Sequence, residues 1–397
     1  MIAQQPPLMK SLQDAQTNLP LIPQTMSALL LEAYKHPYKL TRSMNLPLKT
    51  GGSSGDSASG FIVEANEVLI RTVAAGYCHG DLMIQNLELG VEAGDLPMGG
   101  TGLPMIPFHE GAGIVVRVGS EVDPNDLKIG DRVGIMACKD PCGTCTDCTN
   151  GFTNYCANLK LRGITVHGTA AEYILGDAWS AIKLPDEIGY DAGAGLMCAG
   201  STVYSGIKKA NLNPGQTVAI VGIGGLGHLG VQLAKCLGYR VVAVDVRQAP
   251  LDLIKRVKYA PDVCINSSKI PDGELFTYLS QHNISNIHAS IVVADSNAAY
   301  DIALKLTGKH GTMVGIGIPQ NAINVHYSSL LSRNITLKSA TLGTPGQTRE
   351  MLGLVAQYGI KVQTKSYPLE DFEQMLKDYQ SEERAGKYVL RMEDLAE

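Results

Sequence analysis

VAIVGIGGLGHLG, residues 218–230, sets a glycine-rich turn directly behind a run of buried-strand character. Gly222, Gly224 and Gly227 form a G-x-G-x-x-G pattern, a weak signal alone. Here the pattern closes the strand-like VAIV and opens the helix-compatible HLGVQLAKCLG, which is the context a dinucleotide turn requires. Glycine lets the backbone turn tightly and approach phosphates closely, and the N-terminus of the following helix attracts the pyrophosphate. The next apolar run, YRVVAVD (239–245), ends in Asp245, 23 residues after Gly222, where a carboxylate suits the adenosine ribose. Gly222, Gly224, Gly225, Leu226, Gly227 and Asp245 are therefore the predicted cofactor contacts. A carboxylate repels a 2′-phosphate and favours NAD over NADP, while Arg247, two residues on, is the group that would soften that preference.

Outward from this turn, ASIVVAD, GTMVGIGIP and NITLKSA read as further strands with helical patterns between them, which predicts a doubly wound parallel sheet. Before residue 190 the texture differs. MSALLLEAY and NEVLIRTVAAG read as strands separated by the flexible KTGGSSGDSASG, and GAGIVVRVG and GDRVGIMA alternate with Gly and Pro turns, as in a β-rich barrel. The tail from Arg349 reads as helix and then as the strand YVLRM, expected to pair with the barrel. Residues 1–26, polar and Pro-rich, read as a leader. A chain of 397 residues can bury two such cores, so the predicted class is α/β with two domains.

The balance of 33 basic against 38 acidic residues, net −5 with no basic tract, argues against a nucleic-acid partner. No segment approaches the roughly 18 apolar residues of a membrane span, and the first residues lack a secretory pattern, so a soluble, cytoplasmic protein is expected. In a reducing compartment nine cysteines point to metal or catalysis rather than disulfides.

Residues 142–156, CGTCTDCTNGFTNYC, carry a C-x2-C-x2-C-x7-C pattern. Two-residue gaps turn successive thiolates toward one point and the longer loop returns a fourth. Cys142, Cys145, Cys148 and Cys156 thus predict a closed structural zinc site. Cys78, His79, His109, Glu110 and Cys198 are the remaining candidates for a second metal site. A catalytic zinc takes three protein ligands and one open position, and a Cys2His set drawn from Cys78, His109 and Cys198 is one known solution.

From about Met26 onward the chain resembles the medium-chain, zinc-dependent alcohol dehydrogenases, close to the yeast type. The carrying motifs are GYCHGD (76–81), HEGAG (109–113), the cysteine quartet, LMCAGSTVYSGIKKANLNPGQ (196–216) and VGIGGLGHLG (221–230). The resemblance implies a GroES-like catalytic domain over 27–187 and 336–397 holding both zinc sites, and a Rossmann cofactor domain over 188–335. It implies catalytic zinc on Cys78, His109 and Cys198, with Asp81 fixing the ring of His109 through its other nitrogen. Glu110 stands beside the metal as an exchanging ligand or as half of a buried salt bridge, and His79 takes a pyrophosphate-contacting slot. Relatives assemble as dimers or tetramers, so a homo-oligomer is expected.

Several departures bear on function. Gly80 stands where the family carries a Ser or Thr hydroxyl that passes the alcohol proton out, and Met83 where yeast-type members carry the final His of that relay. Thr344 and Pro345, in GTPGQ (343–347), stand where relatives often place a pyrophosphate Arg. Cys138 replaces a Trp that narrows the pocket of short-alcohol members; the only Trp is Trp179. With the extra loop GVEAGDLPMGGTGLP (90–104), these suggest a roomier site. The reading is a zinc- and NAD-dependent oxidoreductase moving hydride between nicotinamide and a bulky alcohol, aldehyde or ketone, with specialised metabolism a compatible setting. Its rivals are a C=C reductase of the enoyl or quinone type, and a redox-neutral or non-catalytic member that has lost the relay.

Overall fold

The computed structural model describes residues 22–46, 49–50, 61–88, 102–271 and 273–392. Most of the expected leader, residues 51–60 of the Gly/Ser loop and residues 90–101 of the extra loop lie outside the described residues.

Strand Thr217–Val221, behind which the glycine turn stands, is buried along its whole length. It pairs in parallel with Arg240–Asp245 on one side and Ala289–Val292 on the other. The six-stranded sheet runs Val263–Asn266, Arg240–Asp245, Thr217–Val221, Ala289–Val292, Thr312–Gly315, Thr336–Ser339, all parallel. Successive side chains of its central strands feed different cores. Val218, Ile220, Val241 and Ala243 pack with the helices Ser201–Ala210 and Gly227–Cys236, while Ala219, Val221, Val242 and Val244 pack with Leu279 and Tyr300. Both faces are covered, which is why these strands read as continuous apolar runs. Strand order reverses beside Thr217–Val221, and such a reversal opens a crevice at the carboxyl ends of the strands.

Two expected boundaries shift. Residue 336 was the expected return to the barrel unit, but Thr336–Ser339 closes the parallel sheet against Thr312–Gly315, and helix Pro345–Tyr358 packs its buried Met351 and Leu352 into the same core. The chain returns only at Thr364–Pro368. Near the other end, strand Thr25–Leu30 begins inside the segment read as leader because Met26, only 1% exposed, is core.

The second sheet is built around Glu67–Tyr77, eleven residues long. It runs Ala181–Lys183, Arg132–Ile135, Glu110–Val118, Glu67–Tyr77, Lys387–Arg391, Thr364–Pro368, with Tyr173–Asp177 also paired to Glu67–Tyr77. The C-terminal strand lies antiparallel to Glu67–Tyr77, Tyr388 opposite Tyr77. That pairing carries tail residues to the wall of the crevice.

Candidate functional site

A cleft of about 1330 Å³ opens between the two sheets. Gly222, Gly224, Gly225, Leu226 and Asp245 line it from the parallel sheet, and Cys78, His79, Gly80 and His109 from the other side. Gly222 has φ +96°, a conformation open to glycine, and a Cβ on Gly227 would fall 1.9 Å from the Gly222 carbonyl. Gly224 has no atom within 4 Å of its missing Cβ, so the turn offers open backbone to a ligand. Asp245 is anchored on both carboxylate oxygens: Oδ2 accepts from Ile223 N–H at 2.7 Å and Oδ1 from Arg247 N–H at 2.9 Å. The Arg247 side chain turns back, Nε 3.6 Å from Asp245, and donates to the Arg384 carbonyl at 3.1 Å.

Cys78 caps the short helix His79–Gln85, and its N–H donates to Asp81 Oδ2 at 2.9 Å. Asp81 Oδ1 lies 2.9 Å from His109 Nδ1, both groups buried, which leaves Nε2 as the free ring nitrogen. His109 follows Phe108, a buried residue held at φ +70°. Cys198 sits in a π-helical stretch, Leu196–Gly200, between two α-helices, a wide turn that re-aims one side chain. One donor atom each from Cys78, His109, Glu110 and Cys198 falls within a 4.8 Å circle. The two thiols contend for one proton: the hydrogen bond between them holds Cys78 well below and Cys198 well above the ordinary thiol value, burial adding to the rise at Cys198. Two thiolates and a neutral imidazole in so small a volume suit a dication, which offsets the charge that burial penalises.

Glu110 forms the buried salt bridge. It stands in that donor group, and its carboxylate is also paired with Lys387, whose Nζ lies 2.7 Å from each oxygen, with hydrogen-bond geometry to Oε1.

Cys142, Cys145, Cys148 and Cys156 bring their sulfurs within 4.8 Å of one another. The Cys142 sulfur is 4.0 Å from that of Cys148 and 3.6 Å from that of Cys156. A zinc–sulfur bond of about 2.3 Å implies a tetrahedral edge of about 3.8 Å, so the cage has the size for zinc. Backbone N–H groups of Thr144 and then Cys145 pull Cys142 down to about 5. All nine cysteines are free thiols.

Asp295, Tyr379, Arg384 and Lys387 are among the cleft-lining residues that the sequence did not single out. Lys387 had a faint signal, a charge directly before YVLRM (388–392). The GTPGQ segment, where relatives often place a pyrophosphate Arg, is a helix start: Thr344 caps Pro345–Tyr358, and none of residues 343–347 lines the cleft. Cys138 and Met83 both line it, whereas Trp179 packs beside the cysteine quartet.

A doubly wound parallel sheet facing a β-rich unit, with a Cys2His donor set on the wall of the cleft between them, defines a two-domain dehydrogenase architecture. Residues 64–186 match the alcohol dehydrogenase GroES-like domain and residues 225–357 the zinc-binding dehydrogenase domain. An alcohol dehydrogenase of Geobacillus stearothermophilus is 34% identical over 83% of this chain and 94% of its own length. The alcohol dehydrogenase of the archaeon Aeropyrum pernix has the same fold, with TM-score 0.77, 26% identity, and coverage of 92% of this chain and 99% of that one. So does an acetophenone reductase of Geotrichum candidum solved with NAD, with TM-score 0.75, 24% identity, and coverage of 94% and 98%. The chain belongs to the zinc-binding alcohol dehydrogenase family of the medium-chain dehydrogenase/reductase superfamily and is an alcohol dehydrogenase. Among the described residues, no helix is long and apolar enough to cross a membrane.

Proposed function

We propose that this enzyme interconverts a bulky alcohol and its aldehyde or ketone with NAD as coenzyme, using zinc on Cys78, His109 and Cys198 and a second, structural zinc on the cysteine quartet. The observation that carries this is the convergence of the Cys78, His109 and Cys198 donor atoms on the wall of the same cleft that holds the glycine turn and Asp245. When bound, zinc supplies Lewis acidity at the substrate oxygen and NAD the carbon that accepts hydride. Asp81 keeps His109 in the tautomer that presents Nε2, and Lys387 offsets the charge of Glu110 beside the donor set. Asp245, its oxygens fixed by two backbone N–H groups, is a negative group at the ribose position and favours NAD. The NAD in the acetophenone reductase neighbour agrees with that choice. Met83, Ile84, Cys138, Leu161, Ile164 and Ile316 form an apolar wall without Trp, which supports a bulky, uncharged substrate. The exposed edge strand Thr336–Ser339, with Tyr327 and Leu331 more than two-thirds exposed nearby, supports a homo-oligomer.

The test uses NADH and NADPH carrying deuterium at the transferring carbon, offered with bulky aldehydes, ketones and enones and followed by mass spectrometry. Label on a carbinol carbon from NADH is expected. Label on a β-carbon would replace the proposal with C=C reduction, and no transfer from either coenzyme would point to a redox-neutral role. Asp245→Ala is expected to lose the preference for NADH over NADPH; unchanged preference removes Asp245 from the ribose.

A further inference from the structure

We propose that Asp295 is a built-in competitor of the coenzyme pyrophosphate, an anion that this chain places against His79 and that bound coenzyme displaces. The inference rests on the coenzyme reading above. Asp295 stands just beyond strand Ala289–Val292, at the carboxyl edge of the parallel sheet, and its Oδ2 lies 2.7 Å from Nε2 of His79, which opens the helix His79–Gln85 on the opposite wall. This side-chain contact therefore spans the cleft. The other ring nitrogen of His79 faces the Tyr379 hydroxyl at 3.4 Å, with the two rings stacked at 6.5 Å. Arg384 lies over the same Tyr379 ring at 5.3 Å.

The other cations of the cleft are already committed. Lys387 is held by Glu110, Arg247 by Asp245 and the Arg384 carbonyl, and Arg162 donates to the Met136 and Leu175 carbonyls and the Ser180 hydroxyl. His79 and Arg384 join Lys387, whose Nζ lies 3.9 Å from where a Cβ on Gly225 would stand, around a diphosphate laid on Gly224 and Gly225. Among the described residues Arg384 has no carboxylate within 4.0 Å in an ion pair, while His79 has Asp295. The two side chains of the pair are 34% and 47% exposed, so one anion can exchange for another there without a large desolvation cost. Coenzyme binding then exchanges one anion for another beside His79, which weakens binding and speeds release.

The experiment measures NADH, ADP-ribose and adenosine binding to the full-length, zinc-loaded protein by fluorescence titration and calorimetry, with NADH release by stopped flow. Asp295→Asn and Asp295→Ala are expected to bind NADH and ADP-ribose about tenfold more tightly and to release NADH more slowly, with adenosine unchanged. Arg384→Gln is expected to bind both diphosphates about tenfold more weakly. Unchanged or weaker ADP-ribose binding in both Asp295 variants overturns the inference, leaving Asp295 a ribose contact or a structural tie. Wild-type protein that binds neither NADH nor NADPH overturns the coenzyme reading together with it, so the two failures are distinct.

Discussion

Lys387 Nζ lies 2.7 Å from the carboxylate of Glu110, a pair 277 residues apart in the chain with side chains 3% and 0% exposed. Neither charge reaches water, so each depends on the other. Lys387→Met is expected to cost about 3–5 kcal/mol in denaturant unfolding of the metal-loaded protein, because Glu110 is left buried and unpaired. The double variant Lys387→Met/Glu110→Gln removes both charges and is expected to recover much of that loss. Equal losses in the single and double variants would assign the effect to packing instead.

Gly80 has room for the hydroxyl it lacks. A Cβ there would meet His109 Cε1 at 3.4 Å, ordinary contact, so Gly80→Ser is expected to fold with an unchanged or slightly raised Tm. Gly80→Ser/Met83→His supplies both relay positions and is expected to raise kcat by roughly tenfold or more. The reading is kcat together with its solvent isotope effect. An unchanged kcat would mean that the native proton leaves by a route independent of these positions.

The two metal groups predict two separable losses. Cys198→Ser is expected to lose one zinc per chain by elemental analysis and to abolish turnover with the fold intact. Cys148→Ser is expected to lose the other zinc and to make residues 142–156 sensitive to protease, since metal binding is folding energy for that loop. Retention of both zincs in either variant would remove that cysteine from the ligand set.

His228 gives a pH dependence of defined sign. Fully buried, it accepts the Gln363 N–H at Nε2 and contacts the Gly224 carbonyl through Nδ1. Burial pushes its pKa from the usual 6.5 down to about 4. Below pH 6.5 the unfolded chain takes up a proton that the folded chain refuses. The His228 contribution is therefore complete above pH 6.5 and is lost as the pH falls toward 4, on the order of 3 kcal/mol. A His228→Gln variant is expected to show a flatter stability profile over that window; parallel profiles would count against it.

Much of this was legible in local pattern. The strand, glycine turn and helix at 217–236 are contiguous in sequence, so periodicity and residue type suffice. The quartet closes within fifteen residues, and its spacing alone implies convergence. Cys78, His109 and Cys198 are different, because they are separated by 31 and 89 positions and their meeting depends on two sheets and a π-helical stretch. Only resemblance to a family joined them beforehand.

By itself, then, the sequence determined the class of fold, the glycine turn between strand and helix with Asp245 closing the next strand, and the spacing of the cysteine quartet. Each is written in neighbouring residues, whose geometry the backbone fixes locally. Tertiary structure decided that Lys387 neutralises Glu110 and stands against Gly225, that Asp295 reaches His79 across the cleft, and that Thr336–Ser339 belongs to the parallel sheet. The Lys387–Glu110 and Asp295–His79 pairings join residues hundreds of positions apart. They arise from strand order and from the need to offset buried charge, neither of which leaves a periodic trace in the chain.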